Sequence, residues 1–428
     1  MPVRWKILAF VVLGTLGVLG LFYAFHLKGK SVPSHRVTIR FLGEPDNGGG
    51  WKEIIRRFEK ANPSIQVEMV EGPAATNTRE DMYSTAFLAR EFAYDLVYMD
   101  IIWVPKFAAA GWIVPLDDRF PSKRQEAFLP GDMSGSRYQG KTYRVPIRSD
   151  AGMLYYRKDL LEQHGMKPPE TWEELVEIAS KLQRPPEVWG FVFQGKQYEG
   201  LITNFLEIVW GAGGELIDEQ GRVLIDQPEA ISALKWLRDV VNTYRITPPG
   251  VTTYQEEESR HIFQEGKAVF MRNWPYAWTF SQKKGSQVKG RIGIIPMVHK
   301  SGHQSAATLG GWGFGISRFS AHPDEAWRFI EFATGEEGQR ILHFQNGAIP
   351  TRHSLFQDPN ILKESPHYQD LYRILLRARP RPVHPRYSQI SDILQVHVSA
   401  SLIGKESPEE ALKRAAREIR SVLEREKE

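Results

Sequence analysis

The sequence predicts an α/β fold of two lobes, and three observations carry that prediction. The ordered chain opens strand, helix, strand: Val37-Thr38-Ile39-Arg40-Phe41 alternates, Trp51 to Lys60 carries Trp51, Ile54, Ile55 and Phe58 at helical spacing, and Ile65 to Val70 alternates again. At 428 residues the chain has room for two cores of ordinary size. In the stretch from Lys141 to Arg157 an extended segment containing Pro146 passes into a second strand, as expected of a crossing between lobes.

Taken in order, Gly43-Glu44-Pro45-Asp46-Asn47-Gly48-Gly49-Gly50 is a loop, and Asn62-Pro63 ends the first helix. A helix is expected from about Arg79 to Arg90, then an apolar strand, Asp95 to Asp100, closing on an acid. Ligands in open α/β sheets collect at the carboxyl ends of strands, so Asp100 is a candidate binding carboxylate; a helix cap for the segment that follows is the compatible bland role. Thr171 and Glu174 form a capping box at the start of a helix. Trp189 to Phe193 is a short strand leading to a polar loop in which Lys196, Tyr198 and Glu199 could reach a cleft. Helices are expected at 201–210, 228–244 and 255–265. Ala268 to Met271 then reads as a buried strand that Pro275 stops, which places Trp274, Tyr276 and Trp278 at a strand end. Lys289 to Pro296 is read as a strand returning to the first sheet, and Thr308 to Ile316 as a Gly-rich strand carrying Trp312. Helices at 323–334 and from Pro408 onward are separated by a Pro-rich stretch, 379–387, that cannot be helical.

The net charge of +4 is concentrated at one end: Arg4, Lys6, Lys28, Lys30 and Arg36 face no acid in the first 36 residues, and without them the count is 50 basic to 51 acidic. No basic nucleic-acid footprint remains. Zero cysteines exclude disulfides, thiolate metal sites, thiol catalysis and a lipid anchored at cysteine. Residues 7–27 are apolar over a membrane-spanning length behind a positive flank. Bulky residues at Leu21 to Phe25 favour an uncleaved signal anchor over a cleavable signal peptide, with the rest of the chain exported.

Several chemistries can be set aside. His299 and His303 lie in a Gly-containing loop with no following glutamate, the glycines around Trp312 lack the Lys-Ser/Thr of a phosphate cradle, and no nucleophile elbow occurs. Glu44, Asp100 and Asp150 could form a glycosidase pair if their spacing allowed it. The aromatic cluster at 274–278 has two readings, core filler or one wall of a site; flat apolar faces with strand-end carboxylates suit a polyhydroxylated ligand.

Seven motifs in order carry a resemblance over the whole exported part: Asp95 to Asp100, Asp150 to Leu161, Pro168 to Trp172, Trp189 to Leu201, Arg272 to Trp278, Ser305 to Trp312, and Pro380-Arg381-Pro382. The chain resembles the extracellular solute-binding proteins of ABC sugar importers, most of all the trehalose/maltose-binding type. The resemblance implies a two-lobed periplasmic-binding-protein fold, with residues 37–146 and 279–333 in lobe 1, 147–278 and 334–428 in lobe 2, and 1–36 as anchor or signal plus tether. It implies that Asp100 and Asp150 accept sugar hydroxyls, Trp274 and Trp312 stack on sugar rings, Gly311 offers its backbone, and Arg381 is a cleft arginine. Tyr276 stands beside Trp274 as a further candidate, and Glu44 matches a first-loop acid in a loop of different length. Similar proteins carry a tyrosine two residues before the second aspartate; here it is Arg148, which adds charge and up to five donors, so their ligand preference does not transfer.

The expected function is non-enzymatic binding of a glucose-containing disaccharide or glucoside, such as trehalose, maltose, sucrose or glucosylglycerol, for delivery to ABC permease subunits. The expected protein is a monomer without cofactor, metal or nucleic-acid partner, held by its N-terminal helix at the outer face of the cytoplasmic membrane. The alternatives are a glycoside hydrolase using the cleft carboxylates and a sugar sensor for a membrane receptor.

Overall fold

The structure, a computed structural model, describes residues 36–218 and 220–425. The expected anchor at 7–27 lies outside the described residues; among those described, no helix is long and apolar enough to cross a membrane.

Strands β1 (Val37–Gly43) and β2 (Ile65–Glu71) pair in parallel, joined by helix α1 (Gly50–Ala61). That helix forms on the predicted face: Trp51, Ile54 and Phe58 are buried in the first core with Phe41, Phe314 and Phe329. Helix α2 (Thr76–Leu88) begins three residues before the predicted Arg79 and leads to β3 (Leu96–Asp100). The Tyr83 hydroxyl ties these elements together, accepting from the Leu42 and Tyr98 N–H groups and donating to the Leu42 carbonyl.

The crossing between lobes comes later than the expected boundary between 146 and 147, because the first-sheet strand continues through Ala151. Strand β4 (Val145–Ala151) belongs to the first sheet and β5 (Met153–Arg157) to the second, with Gly152 between them. Any side chain at Gly152 would overlap the buried Glu207 carboxylate. Helix α3 (Trp172–Leu182) starts with the predicted Thr171–Glu174 capping box. Strand β6 (Trp189–Val192), helices α4 (Glu199–Gly211), α5 (Pro228–Asn242) and α6 (Glu256–Gln264), and strand β7 (Ala268–Asn273) build the second lobe. Pro275 ends β7, and a short helix α7 (Tyr276–Ser281) that the aromatic pattern had not revealed follows at once.

Strand β8 (Ile292–Ile295) corrects one expectation. It pairs antiparallel with β5, completing a second sheet of order β8-β5-β7-β6, and does not return to the first. Its alternation fits either sheet, and only the pairing decides. The return comes with β9 (Ala307–Ile316), buried along its whole length, which runs antiparallel to β3 and β4. Helix α8 (Pro323–Ala333) covers the first core. Helix α9 (Glu336–Asn346) also packs on α1, with Ile341 and Leu342 in that core, although the sequence placed residues from 334 onward in the second lobe. Strand β10 (Ala378–Pro380) joins β9 in parallel, and helices α10 (Tyr387–Leu402) and α11 (Pro408–Glu424) pack together against α4 and α5 of the second lobe.

Candidate functional site

A cleft between the lobes has an empty volume of about 1190 Å³, its open mouth included. All nine residues singled out from the sequence line it: Glu44, Asp100, Arg148, Asp150, Trp274, Tyr276, Gly311, Trp312 and Arg381.

The first-lobe wall is a charge network. Arg148 on β4 donates from Nη2 to Glu44 Oε2 at 3.0 Å, from Nη1 to Glu44 Oε1, and its Nε lies 3.2 Å from Asp150 Oδ2. Arg79 on α2 lies 3.9 Å from the same Glu44 carboxylate, which also accepts from the Tyr98 hydroxyl at 3.3 Å. Burial disfavours the charge on Arg148, but the surrounding acids, Glu44 foremost, outweigh it and hold the guanidinium more firmly charged than usual. Burial pushes Asp150 up to about 6; Arg148 opposes the shift, while Glu44 and Asp100 add to it. Burial also weakens the charge on Arg79, against the pull of Glu44.

Trp312 does not offer the open stacking face expected of it. Its ring stacks on Tyr98 at 4.9 Å, meets Trp103 edge-on at 5.4 Å, and lies under the guanidiniums of Arg79 at 4.5 Å and Arg148 at 5.4 Å. Only 5% of the residue is exposed. Register causes this: Trp312 opposes Asp100 on β3 and Arg148 on β4, so its ring falls among their neighbours.

Gly311, next to it, has φ +143, and a Cβ there would come 2.9 Å from Asp132 Oδ1 and 3.1 Å from the Arg148 carbonyl. Its carbonyl already accepts from the Ile101 N–H and from Arg144 Nη1, each at 2.9 Å.

Arg381 spans the lobes. It donates to Asp100 at 3.0 Å on the first side and to Glu199 at 2.7 Å on the second, and all three are buried. Asp100 also accepts the Ile102 N–H at 3.1 Å, closing a turn; it does not cap the helix Trp103–Ala109 that follows, whose N-cap is Ile102 with no side-chain cap bond, so the expected capping role is not met. Glu199, at the start of α4, further accepts from the Tyr387 hydroxyl at 2.9 Å and from Ser391; burial raises its carboxyl in spite of Arg381.

The second-lobe wall is aromatic. Trp274 is half-buried, with its ring over the Arg272 guanidinium at 4.1 Å and its indole N–H 3.4 Å from Glu256 Oε1. Arg272 is itself fully buried against Glu207, donating from Nε at 2.9 Å, so the cation beneath the ring is neutralised and fixed. The Tyr276 hydroxyl donates to Glu257 at 2.6 Å, and Phe280 continues the wall along α7.

Sequence reading missed Arg79, Thr203, Glu256, Glu257 and Phe280 as cleft residues. Arg79 and Glu256 stand near helix starts, where charge ordinarily means capping or solvation, so composition gave no signal. The triple acid Glu256-Glu257-Glu258 ahead of an aromatic strand end was the one available hint. Of the loop residues noted, Glu199 reaches the cleft, whereas Lys196 is exposed and bonds Gln255.

Among the described residues the cleft lining contains no serine, cysteine, histidine or lysine, and no metal-holding cluster occurs. What it presents is a set of fixed acceptors, guanidinium donors and one accessible indole: equipment for hydrogen-bonding and stacking.

Comparison with known proteins agrees. The model of the family described as bacterial extracellular solute-binding protein matches residues 43–340. A probable ABC transporter-binding protein of Deinococcus radiodurans is 33% identical over 408 residues, covering 92% of this chain and 95% of that protein. The mannitol-binding protein of Pseudomonas aeruginosa is 25% identical over 384 residues, 84% of this chain and 87% of its own. Maltose-bound MalE3 from T. maritima superposes with a TM-score of 0.87 at 38% identity, covering 90% of this chain and 100% of that one.

Proposed function

From its membership of the bacterial extracellular solute-binding protein family, which makes the chain the substrate-binding component of an ABC sugar transporter and not an enzyme, we propose that its ligand is a glucose-containing disaccharide or glucoside such as trehalose, maltose, sucrose or glucosylglycerol. The observation that carries the reading is the convergence of Asp100, Asp150, Arg381 and the half-buried Trp274 on one cleft with walls from both lobes. A pyranose ring laid on Trp274 brings its hydroxyls within reach of ionised acceptors, which bond more strongly than neutral ones. The maltose bound by the T. maritima relative supports a glucoside; the mannitol of the Pseudomonas relative marks how far polyol ligands vary on this scaffold.

Binding works by lobe closure. Contacts made with both lobes at once favour the closed form, and only contacts that differ between open and closed states drive it. Glu44, Arg148, Gly311, Trp312 and Tyr276 complete the proposed ligand shell, Trp312 by holding the arginines in place. The closed monomer then presents the sugar to the permease subunits from the outer face of the cytoplasmic membrane, held there by residues 7–27. Calorimetry against mono-, di- and trisaccharides and polyols tests the ligand class, and silence across the panel would refute it. Membrane fractionation of the full chain against a chain lacking residues 1–36 tests the anchor.

A further inference from the structure

We propose that Arg272 and Glu207 are positioning residues for the binding site: their buried ion pair, rooted where two crossings between the lobes meet, sets the pose of the Trp274 ring and couples it to the angle between the lobes. The inference rests on the reading of Trp274 as the ligand platform and names the residues that hold that platform.

The Glu207 and Arg272 side chains are both fully enclosed. Arg272 on β7 donates from Nε to Glu207 Oε2 at 2.9 Å and from Nη2 to Glu207 Oε1, and its Nη1 donates to Gln194 Oε1 at 3.1 Å. Gln194 returns a bond from Nε2 to the Arg272 carbonyl at 3.0 Å, and Asn204 on α4 donates to the same Gln194 oxygen at 3.1 Å. The guanidinium plane is therefore fixed by two partners, and the Trp274 ring lies over it at 4.1 Å. Where Trp312 has the rings of Tyr98 and Trp103 beside it, Trp274 has this cation.

The same pair is rooted at the crossings. The chain changes sheet at Gly152 and re-enters the first sheet at the start of β9, and the two passages are joined by the Gly152 N–H, which donates to the Thr308 carbonyl at 3.3 Å. Helix α4 of the second lobe grips this point with residues one turn apart: Glu207 Oε1 accepts the Thr308 N–H at 3.1 Å, and the Thr203 carbonyl accepts from the Thr308 hydroxyl at 3.0 Å. A Cβ on Gly152 would fall 1.8 Å from Glu207 Oε1 and 2.4 Å from Arg272 Nη2, so glycine is what lets the crossing lie against the pair.

Stability alone does not account for such a pair, because apolar side chains of like volume often serve a core as well or better. Fixed geometry does: a platform for a ligand must be held to a fraction of an ångström, and a guanidinium bonded to two partners is held in one plane. A rotation of the lobes turns β4 and β9 at Gly152 and Thr308 relative to α4, and Glu207 passes that turn through Arg272 to the ring above it. Trp274 also packs on β9, where a Cβ on Gly310 would stand 3.3 Å from a ring carbon. The ring is thus held by the pair and by the strand that re-enters the first sheet.

Fluorine NMR of protein labelled with 5-fluorotryptophan tests this, the Trp274 signal among the chain's 12 tryptophans being identified by Trp274→Phe and that of Trp312 by Trp312→Phe. One variant combines Arg272→Met with Glu207→Gln, which removes both charges and keeps an acceptor for the Thr308 N–H; the other, Arg272→Lys, keeps the ion pair and gives up the planar stack. In both the Trp274 signal is expected to shift and broaden while the Trp312 signal stays in place. Affinity for maltose, or for the tightest-binding sugar of the calorimetric panel, is expected to fall about tenfold in the charge-free variant, and by no more than about twofold when the same two substitutions are made in Trp274→Ala. A Trp274 signal that neither variant moves, or equal fold losses of affinity with and without the Trp274 ring, would overturn the positioning role and leave sugar binding intact. If the wild-type protein binds no sugar or polyol, the sugar reading falls, and the fluorine spectrum alone decides whether the pair sets the ring.

Discussion

Two tryptophans line one cleft in very different surroundings. Trp312, in the middle of β9, is walled in by Tyr98, Trp103 and two arginines. Trp274, one residue beyond the end of β7, is half-buried and lines the cavity, with one fixed cation at its ring. A strand interior surrounds a side chain with neighbours from both flanking strands, whereas a strand end releases it. The same residue type is therefore enclosed in one lobe and left accessible in the other.

Truncating each ring separates the roles. Trp312→Ala removes a buried indole from the first core and leaves Arg79 and Arg148 without their platform, and it is expected to lower unfolding stability by about 3 to 5 kcal/mol. Trp274→Ala is expected to leave stability nearly unchanged and weaken sugar binding by about 1 to 3 kcal/mol. Chemical denaturation and calorimetry on both variants make the test. An unstable Trp274→Ala alongside a stable, non-binding Trp312→Ala would reverse the assignment.

How much of this was legible in the sequence follows the same divide. Periodicity located β1, α1, β2 and β3, because each carries its own burial pattern, but it placed the crossing at 146/147 when the sheet changes only at Gly152. It could not say which sheet β8 joins, since Ile292 and Ile294 alternate equally well against either, nor which lobe α9 covers. Nor could it distinguish an enclosed tryptophan from an open one: enclosure at Trp312 comes from Asp100 and Arg148 lying opposite it in register, a fact of pairing. Glu256 was invisible for another reason. An acid in the first turn of a helix is what local propensity expects, so the triple acid at 256–258 reads as an ordinary helix start until its place in the cleft is seen.

Gly311 sharpens the contrast one residue away from Trp312. Its φ of +143 is open to glycine and strained for other residues, and the space a Cβ needs is occupied by Asp132 and the Arg148 carbonyl. Gly311→Ala is expected to cost roughly 1 to 3 kcal/mol of stability. It also displaces Arg148 and so weakens ligand binding, whereas Gly310→Ala, at ordinary φ, crowds Asp150 Cβ at 3.1 Å and the Trp274 ring at 3.3 Å without backbone strain. Denaturation midpoints and sugar affinity of the two alanine variants tell the strained position from the merely crowded one.

The smallest effect is the pH response of Asp150, and its sign is opposite for folding and for binding. Burial raises its carboxyl from the ordinary range to about 6, so the folded chain keeps this proton over a window in which the unfolded chain has lost it. The stability that Asp150 contributes is complete below about pH 4 and lost as pH rises through about 6. In the proposed site its capacity to accept sugar hydroxyls as a carboxylate runs the other way, greatest above about 6 and falling below it. Between pH 7 and pH 5 sugar affinity is therefore expected to drop by up to about tenfold. Asp150→Asn should bind more weakly than wild type at pH 7 and lose most of the pH dependence. Arg148→Ala removes the cation that holds the shift in check, so its affinity should begin to fall at a higher pH than in the wild type. If the Asn variant keeps the full pH response, the proton sits on another group of the first-lobe wall, and the charge network around Trp312 must be reassigned.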